Sequence, residues 1–198
     1  MTGALRRHFG KLAVAVLAGM AAWVWTARGD LSFPQSPPPL QKPNLEVRIK
    51  DHREAIADFG NLEVTVDSIR IRPRSLLGFP AGRTVLKPSL EKIDITNYLG
   101  ARAASVFKGR VNQGSFDGID LRLKGIEGRL KKGGSAAVKN LVTPVRLLFS
   151  TDKENNTLII LDLTVLDVSD HPPQGYELHL RGYELYRNGK LVERVPPA

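Results

Sequence analysis

LEVTVDSIRIR, residues 62–72, is the stretch that decides the fold. Leu62, Val64 and Val66 alternate with Glu63, Thr65 and Asp67, and then the apolar positions turn odd at Ile69 and Ile71. A side-chain period of two belongs to a strand with one buried face. A change of parity flips every later side chain to the other face, so Asp67-Ser68 must hold a β-bulge or a kink. The same pattern recurs on either side. Leu45, Val47 and Ile49 alternate with Glu46, Arg48 and Lys50. Ile119, Leu121 and Leu123 are odd, Gly125 interrupts, and Ile126 and Leu130 are even; glycine is the residue such a break uses.

Further along, Val142–Phe149 and Thr157–Val168 read as strands joined by a polar hairpin connection at 151–156. Leu158-Ile159-Ile160-Leu161 is apolar on both faces, which predicts a central strand covered on each side. Tyr176, Leu178 and Leu180 alternate with charged neighbours, and Asn188-Gly189 between two apolar runs is the strongest hairpin signal in the chain. Two short helices are expected, Arg53 to Phe59 behind an Asp51 cap and Ala101 to Lys108. Seven to nine strands within residues 45–198 predict an all-β domain, an immunoglobulin-like or transthyretin-like β-sandwich.

The chain has 198 residues, is 42% hydrophobic and 25% charged, and carries a formal charge of +9. It is therefore neither disordered by composition nor a polytopic membrane protein. Cysteine is absent, which excludes a disulfide framework, a thiol nucleophile, a Cys-ligated metal and a lipid-bearing thiol. About 150 residues bury enough surface for a core without such staples.

Upstream of the strands, Arg6, Arg7 and Lys11 precede the uncharged run Leu12 to Trp25 (LAVAVLAGMAAWVW). A basic segment followed by an apolar stretch is the pattern of a secretory signal. Residues 1–27 read as a signal or anchor segment that forms an apolar helix, with residues 12–27 in the lipid bilayer. Trp23 and Trp25 sit where interfacial aromatics belong. An uncleaved anchor is favoured over cleavage, with the domain in the periplasm on the outer side of a bacterial inner membrane; cleavage would make it a secreted protein. Leu5-Arg6-Arg7-His8-Phe9-Gly10-Lys11 resembles a twin-arginine export signal, so general and twin-arginine export both stay open. Residues 28–44 form a linker with prolines at 34, 37, 38, 39 and 43. Fully extended at about 3.1 Å per residue, Asp30 to Asn44 spans roughly 45 Å.

The motifs of chemistry are missing: there is no G-x-x-x-x-G-K-[ST], H-E-x-x-H, G-x-S-x-G or G-x-G-x-x-G. One polar group of residues spans Asp162, Asp167, Asp170, His171 and His179, and Asp170 with His171 is the weak alternative as a divalent-metal site. Against it, Asp and Pro in Asp170-His171-Pro172-Pro173 are ordinary turn formers. No catalytic residue and no cofactor are expected.

The excess charge remains. Setting aside Arg6, Arg7 and Lys11 leaves +6. Arg70, Arg72 and Arg74 share one strand face, and Arg122, Lys124, Arg129, Lys131 and Lys132 make a second basic strip. One reading is a solvated face that keeps sheet edges from pairing; another is contact with anionic lipid or glycan. Arg70, Arg72, Lys131 and Lys132 are the residues singled out for the second. With aromatics at 7% and none interleaved with the basic strips, a nucleic-acid partner is not expected.

Five short motifs in order carry a resemblance: Val47-Arg48-Ile49-Lys50-Asp51, Leu62 to Ile69, Ile93-Asp94-Ile95-Thr96, Gly114 to Leu121, and Leu161-Asp162 with Tyr176-Glu177-Leu178. Across residues 45–187 the chain resembles an uncharacterised domain-of-unknown-function family of bacterial lipoproteins and envelope-anchored β-sandwich proteins. The resemblance implies an exported β-sandwich and no established activity. Members carry a lipobox cysteine that this chain lacks, so a tether here must be the apolar segment. The expectation is thus a non-enzymatic, membrane-tethered binding or structural module of the cell envelope. Its alternative is an exported metal-binding or carbohydrate-active protein that uses the Asp162–His179 region.

Overall fold

In the computed structural model the described residues are 42–52, 55–75, 82–170 and 175–196. The expected anchor, the linker up to residue 41, and His171 lie outside them. Among the described residues no helix is long and apolar enough to cross a membrane.

The alternating segments form strands, and shorter ones fill the gaps: β1 (Leu45–His52), β2 (Phe59–Pro73), β3 (Thr84–Leu86), β4 (Lys92–Asp94), β5 (Ala104–Gly109), β6 (Gly114–Leu130), β7 (Ser135–Ala136), β8 (Val138–Asn140), β9 (Phe149–Thr151), β10 (Thr157–Asp167), β11 (Tyr176–Arg187) and β12 (Lys190–Val195). The protein is all-β, with twelve strands among the described residues where seven to nine are expected. They build two sheets. The first runs β12-β11-β10-β1-β5, with β8 beside the start of β11. The second runs β3-β2-β6-β7, with β4 also on β2 and β9 on β6. Their inner faces share one core, to which the first sheet brings Val47, Ile49, Val106, Leu161 and Leu163, and the second Leu62, Val64, Ile69, Ile71 and Leu121.

The parity change at Asp67-Ser68 is a bulge, and it has a counterpart. Thr65 pairs with Gly125, Val66 with Leu123 and Ser68 with Arg122, so Lys124 is extra on β6 and Asp67 is extra on β2. One bulge on each strand restores the register, and both strands turn their apolar side chains to the same new side. Leu62, Val64 and Val66 are buried before the bulge, and Ile69 and Ile71 after it. This is why β2 and β6, at 15 and 17 residues, stay paired along their length.

Four expectations are corrected. Ala101–Lys108 is not a helix; from Ala104 it is β5, antiparallel to β1, with Ala104 and Val106 in the core. Alanine favours a helix locally, but the bare edge of β1 offers a ladder and a face to bury, and tertiary context overrides propensity. Val142–Phe149 is not a continuous strand: Pro144 lacks a donor, and Val145 alone bridges to Ile119 before β9 begins at Phe149. Arg53–Phe59 holds only one 3₁₀ turn, Ala55–Asp58. Asp51 itself belongs to β1. It ends the inward row of β1, is 1% exposed, and its N–H donates to the Tyr98 carbonyl at 2.9 Å. Strand β10 is central to its sheet, as expected, but Leu158 and Ile160 are only half-buried on its outer side.

Asn188 and Gly189, at φ of 51° and 76°, make the β11–β12 hairpin turn. A left-handed conformation costs a side-chain-bearing residue about 1–2 kcal/mol. Gly189→Ala is expected to lower the thermal midpoint by about 2–4 °C per kcal/mol lost, measured by circular dichroism.

Candidate anion-binding site

After the bulges, the outward residues of β2 are Arg70 and Arg72, and opposite them on β6 stand Asp120 and Gly118. Beyond β2 lies β3, which sets Val85 opposite Arg70. Beyond β6, Val145 exchanges backbone hydrogen bonds with Ile119 at 2.8 and 3.0 Å, which carries Arg146 to the same surface. Arg83 enters from the start of β3. Arg70, Arg72, Arg83 and Arg146 thus converge around a cleft of about 190 Å³, with Asp120 its one acidic lining residue.

The acids nearby are already engaged. Asp117 accepts hydrogen bonds from Arg72 through its carboxylate and, at 3.1 Å, through its backbone carbonyl. Asp120, 7% exposed, accepts from Arg122 Nε at 2.8 Å. Arg70 Nε is buried with no hydrogen-bond partner. Arg83 and Arg146 are exposed and make no ion pair among the described residues. Gly118 makes the cleft floor possible: a Cβ there would lie 3.1 Å from Arg72 Nη2 and 3.2 Å from the Val145 carbonyl. The lining has no His, Lys, Ser or Thr. Guanidinium groups stay protonated and present a planar fork of donors, which suits carboxylate, sulfate or phosphate oxygens.

Lys131 and Lys132 are elsewhere. They follow the far end of β6, where Lys131 N–H donates to the Asp58 carbonyl at 2.8 Å. Thirteen strand positions separate Gly118 from Lys131, roughly 40 Å at about 3.3 Å each. The four basic residues singled out from the sequence therefore form two groups, one at each end of the second sheet. Arg83 and Arg146 were the missed members, since Arg83 precedes a three-residue strand too short to show a period and Arg146 sits in an irregular stretch without periodicity. The readable signal was Gly118, a glycine inside a strand, which marks close approach by another group.

The outer face of the first sheet is also charged, but its charges are paired. Lys50 Nζ lies 3.3 Å from Asp162 and 3.1 Å from Glu184, and Arg194 lies 3.3 Å from Glu184. Glu46 takes Arg48 at 2.7 Å and Lys108 at 3.4 Å. Burial pushes Asp162 above the usual carboxylate range, and the Lys50 it shares with Glu184 only partly offsets this. For Glu184, hydrogen bonds from Tyr186 and Lys50 outweigh the effect of burial and hold the carboxyl low. Lys50, against the opposing effect of burial, is held above its ordinary value by the same two acids.

The described residues weighed for a metal are dispersed, and His171 lies outside them. Asp162 faces Lys50, Asp167 accepts from Ser169 in a turn, His179 bonds Glu177 at 3.0 Å, and Asp170 is exposed at the strand end. Among the described residues no three His, Cys, Asp or Glu side chains gather closely enough to hold a metal ion.

Asn44 fixes where the chain enters the domain. Read as the last linker residue, it is 2% exposed. Its side chain donates to the Val111 and Asp152 carbonyls at 3.0 and 3.1 Å and accepts from Val111 N–H at 2.8 Å. Thr151 pairs with Gly114, the first residue of β6. Four positions on stands Gly118, so the arginine cleft lies roughly 13 Å along the strand from the level where the chain enters. Compared with known proteins, the chain matches no family model, no curated protein and no solved structure.

Proposed function

We propose that the chain is a non-enzymatic binding module of the bacterial cell envelope, tethered by its N-terminal segment, that holds an anionic partner on the second sheet. Its frame is of the immunoglobulin-like or transthyretin-like kind, which by itself assigns no function. The observation that carries the reading is the convergence of Arg70, Arg72, Arg83 and Arg146 on one cleft whose neighbouring acids are already engaged, Asp117 by Arg72 and Asp120 by Arg122. A merely solvated face gains from spreading its charges, because like charges repel. Arg70, Arg83 and Arg146, which make no ion pair among the described residues, stand beside one another at a cost that an anion removes.

The test is retention of the full chain, in nonionic detergent, on an immobilised sulfated polysaccharide. Arg83→Gln/Arg146→Gln is expected to elute at clearly lower salt than Lys131→Gln/Lys132→Gln, although both lose two charges. Equal elution of the two variants would mean that only net charge matters, and would sink the reading.

A further inference from the structure

The surface around the arginines is not purely polar. Among the described residues the three most exposed large apolar side chains are Leu148 at 61%, Val192 at 60% and Val85 at 58%. Val85 stands opposite Arg70 across the β2–β3 ladder. Leu148 joins Arg72 and Arg146 on the wall of the adjoining depression, whose two acids, Asp117 and Glu193, are taken by Arg72 and by the Tyr183 hydroxyl, and it shares a further depression with Val192. Cations flanked by bare apolar side chains are what a bilayer interface selects: the guanidinium groups take phosphates while aliphatic groups enter among the headgroups. A soluble anionic glycan has no use for the second feature. The location agrees, because Asn44 enters at this end of the domain, whereas Lys131 and Lys132 lie at the other.

We infer that this end of the domain rests on an anionic phospholipid surface, with Arg70, Arg72, Arg83 and Arg146 on the lipid phosphates and Val85, Leu148 and Val192 among the headgroups. The inference rests on the proposed function and narrows its partner to lipid. Arg70 is the position that separates recognition from bulk charge, since its Nε is buried and without a partner.

The absence of cysteine makes the test clean. Full-length Leu148→Cys, labelled with a polarity-sensitive dye and reconstituted into vesicles, reports on this surface, and Lys132→Cys reports on the far end. Replacing neutral phosphatidylcholine with a mixture rich in phosphatidylglycerol should shift the Leu148→Cys emission to the blue and leave Lys132→Cys unchanged. Raising the salt from about 0.1 M to about 1 M shortens the screening length from about 10 Å to about 3 Å and should weaken the shift. Removing one such cation weakens association about fivefold, so Arg70→Gln/Arg146→Gln should weaken association with the phosphatidylglycerol surface roughly twenty-fivefold and abolish most of the shift at a fixed composition. Circular dichroism confirms that the variant is folded, and Arg70→Lys, which keeps the charge and loses the fork, should fall between it and the parent.

An unmoved Leu148→Cys spectrum overturns the lipid assignment. If the cleft variants nevertheless elute early from the polysaccharide, the anion-binding reading survives without it; if they do not, both fall. A shift produced by inorganic phosphate or glycerol phosphate over neutral vesicles, at millimolar concentration, assigns the cleft to a soluble phosphate and likewise overturns the lipid assignment.

Discussion

Lys50→Met lowers the stability of the domain by about 3 kcal/mol, an expected fall in the thermal midpoint of about 6–12 °C. Lys50 is the cation shared by Asp162 and Glu184, and side-chain exposures of 14%, 7% and 13% place all three largely out of water. Removing one partner of such a group leaves charge in a poorly solvated place, which costs more than the intact group contributes. Glu184 keeps Arg194 and Tyr186; Asp162 keeps no comparable cation. Asp162→Asn is the informative counterpart, because it removes the buried charge and leaves Lys50 paired with Glu184, so it should be close to neutral.

The pH dependence follows from the directions of the shifts. Lys50 is raised, so its contribution is complete below the unfolded value of about 10.4 and is lost as the pH climbs through the folded value. Asp162 is raised, so its ionisation opposes folding, and its part of the stability grows as the pH falls through the folded carboxyl value. In Lys50→Met the second effect stands without the first. That variant should recover stability as the pH is lowered from about 7 to about 5, followed by thermal melts across the range. A midpoint within a degree of the parent at every pH would show that water already solvates the acids.

Phe59→Ala should cost about 4 kcal/mol. The Phe59 ring, 2% exposed, crosses from β2 onto β6 and meets Tyr176 edge-on at 4.7 Å. It occupies the space above Gly128, where a Cβ would lie 2.5 Å from its Cε1 and 3.1 Å from its Cδ1. Gly128→Ala alone should therefore cost about 2 kcal/mol by overpacking. The two effects cannot add, because truncating the ring empties the volume the new methyl needs. In the Phe59→Ala background, Gly128→Ala should cost well under 1 kcal/mol, a coupling of the size seen for residues in direct contact. Additive losses in denaturant melts would mean that the ring is not pinned over Gly128.

Parity made the bulge at Asp67-Ser68 legible, because one displaced residue moves Ile69 and Ile71 from even to odd and no other local cause does so. It could not show how the break at Gly125 relates to it; that Lys124 compensates Asp67 is a fact of pairing between strands. The strands β3, β4, β7 and β8 are two or three residues long, too short for any period, and they exist because longer neighbours offer free edges. Arg70 and Arg72 were readable as one face of one strand. That they lie far from Lys131 and close to Arg83 and Arg146 depends on topology, which composition and spacing do not carry.

The placement of β1 has a consequence for how this polypeptide is made. The first of the described strands to leave the ribosome is not at an edge: Leu45 to His52 lie between β5 and β10, in parallel register with Thr157 to Thr164 of β10. Translation at about 5–20 residues per second leaves that slot half empty for on the order of 10 s. During that interval the flank of β1 that β10 will cover holds backbone donors and acceptors without their native partners, a template for a wrong neighbour.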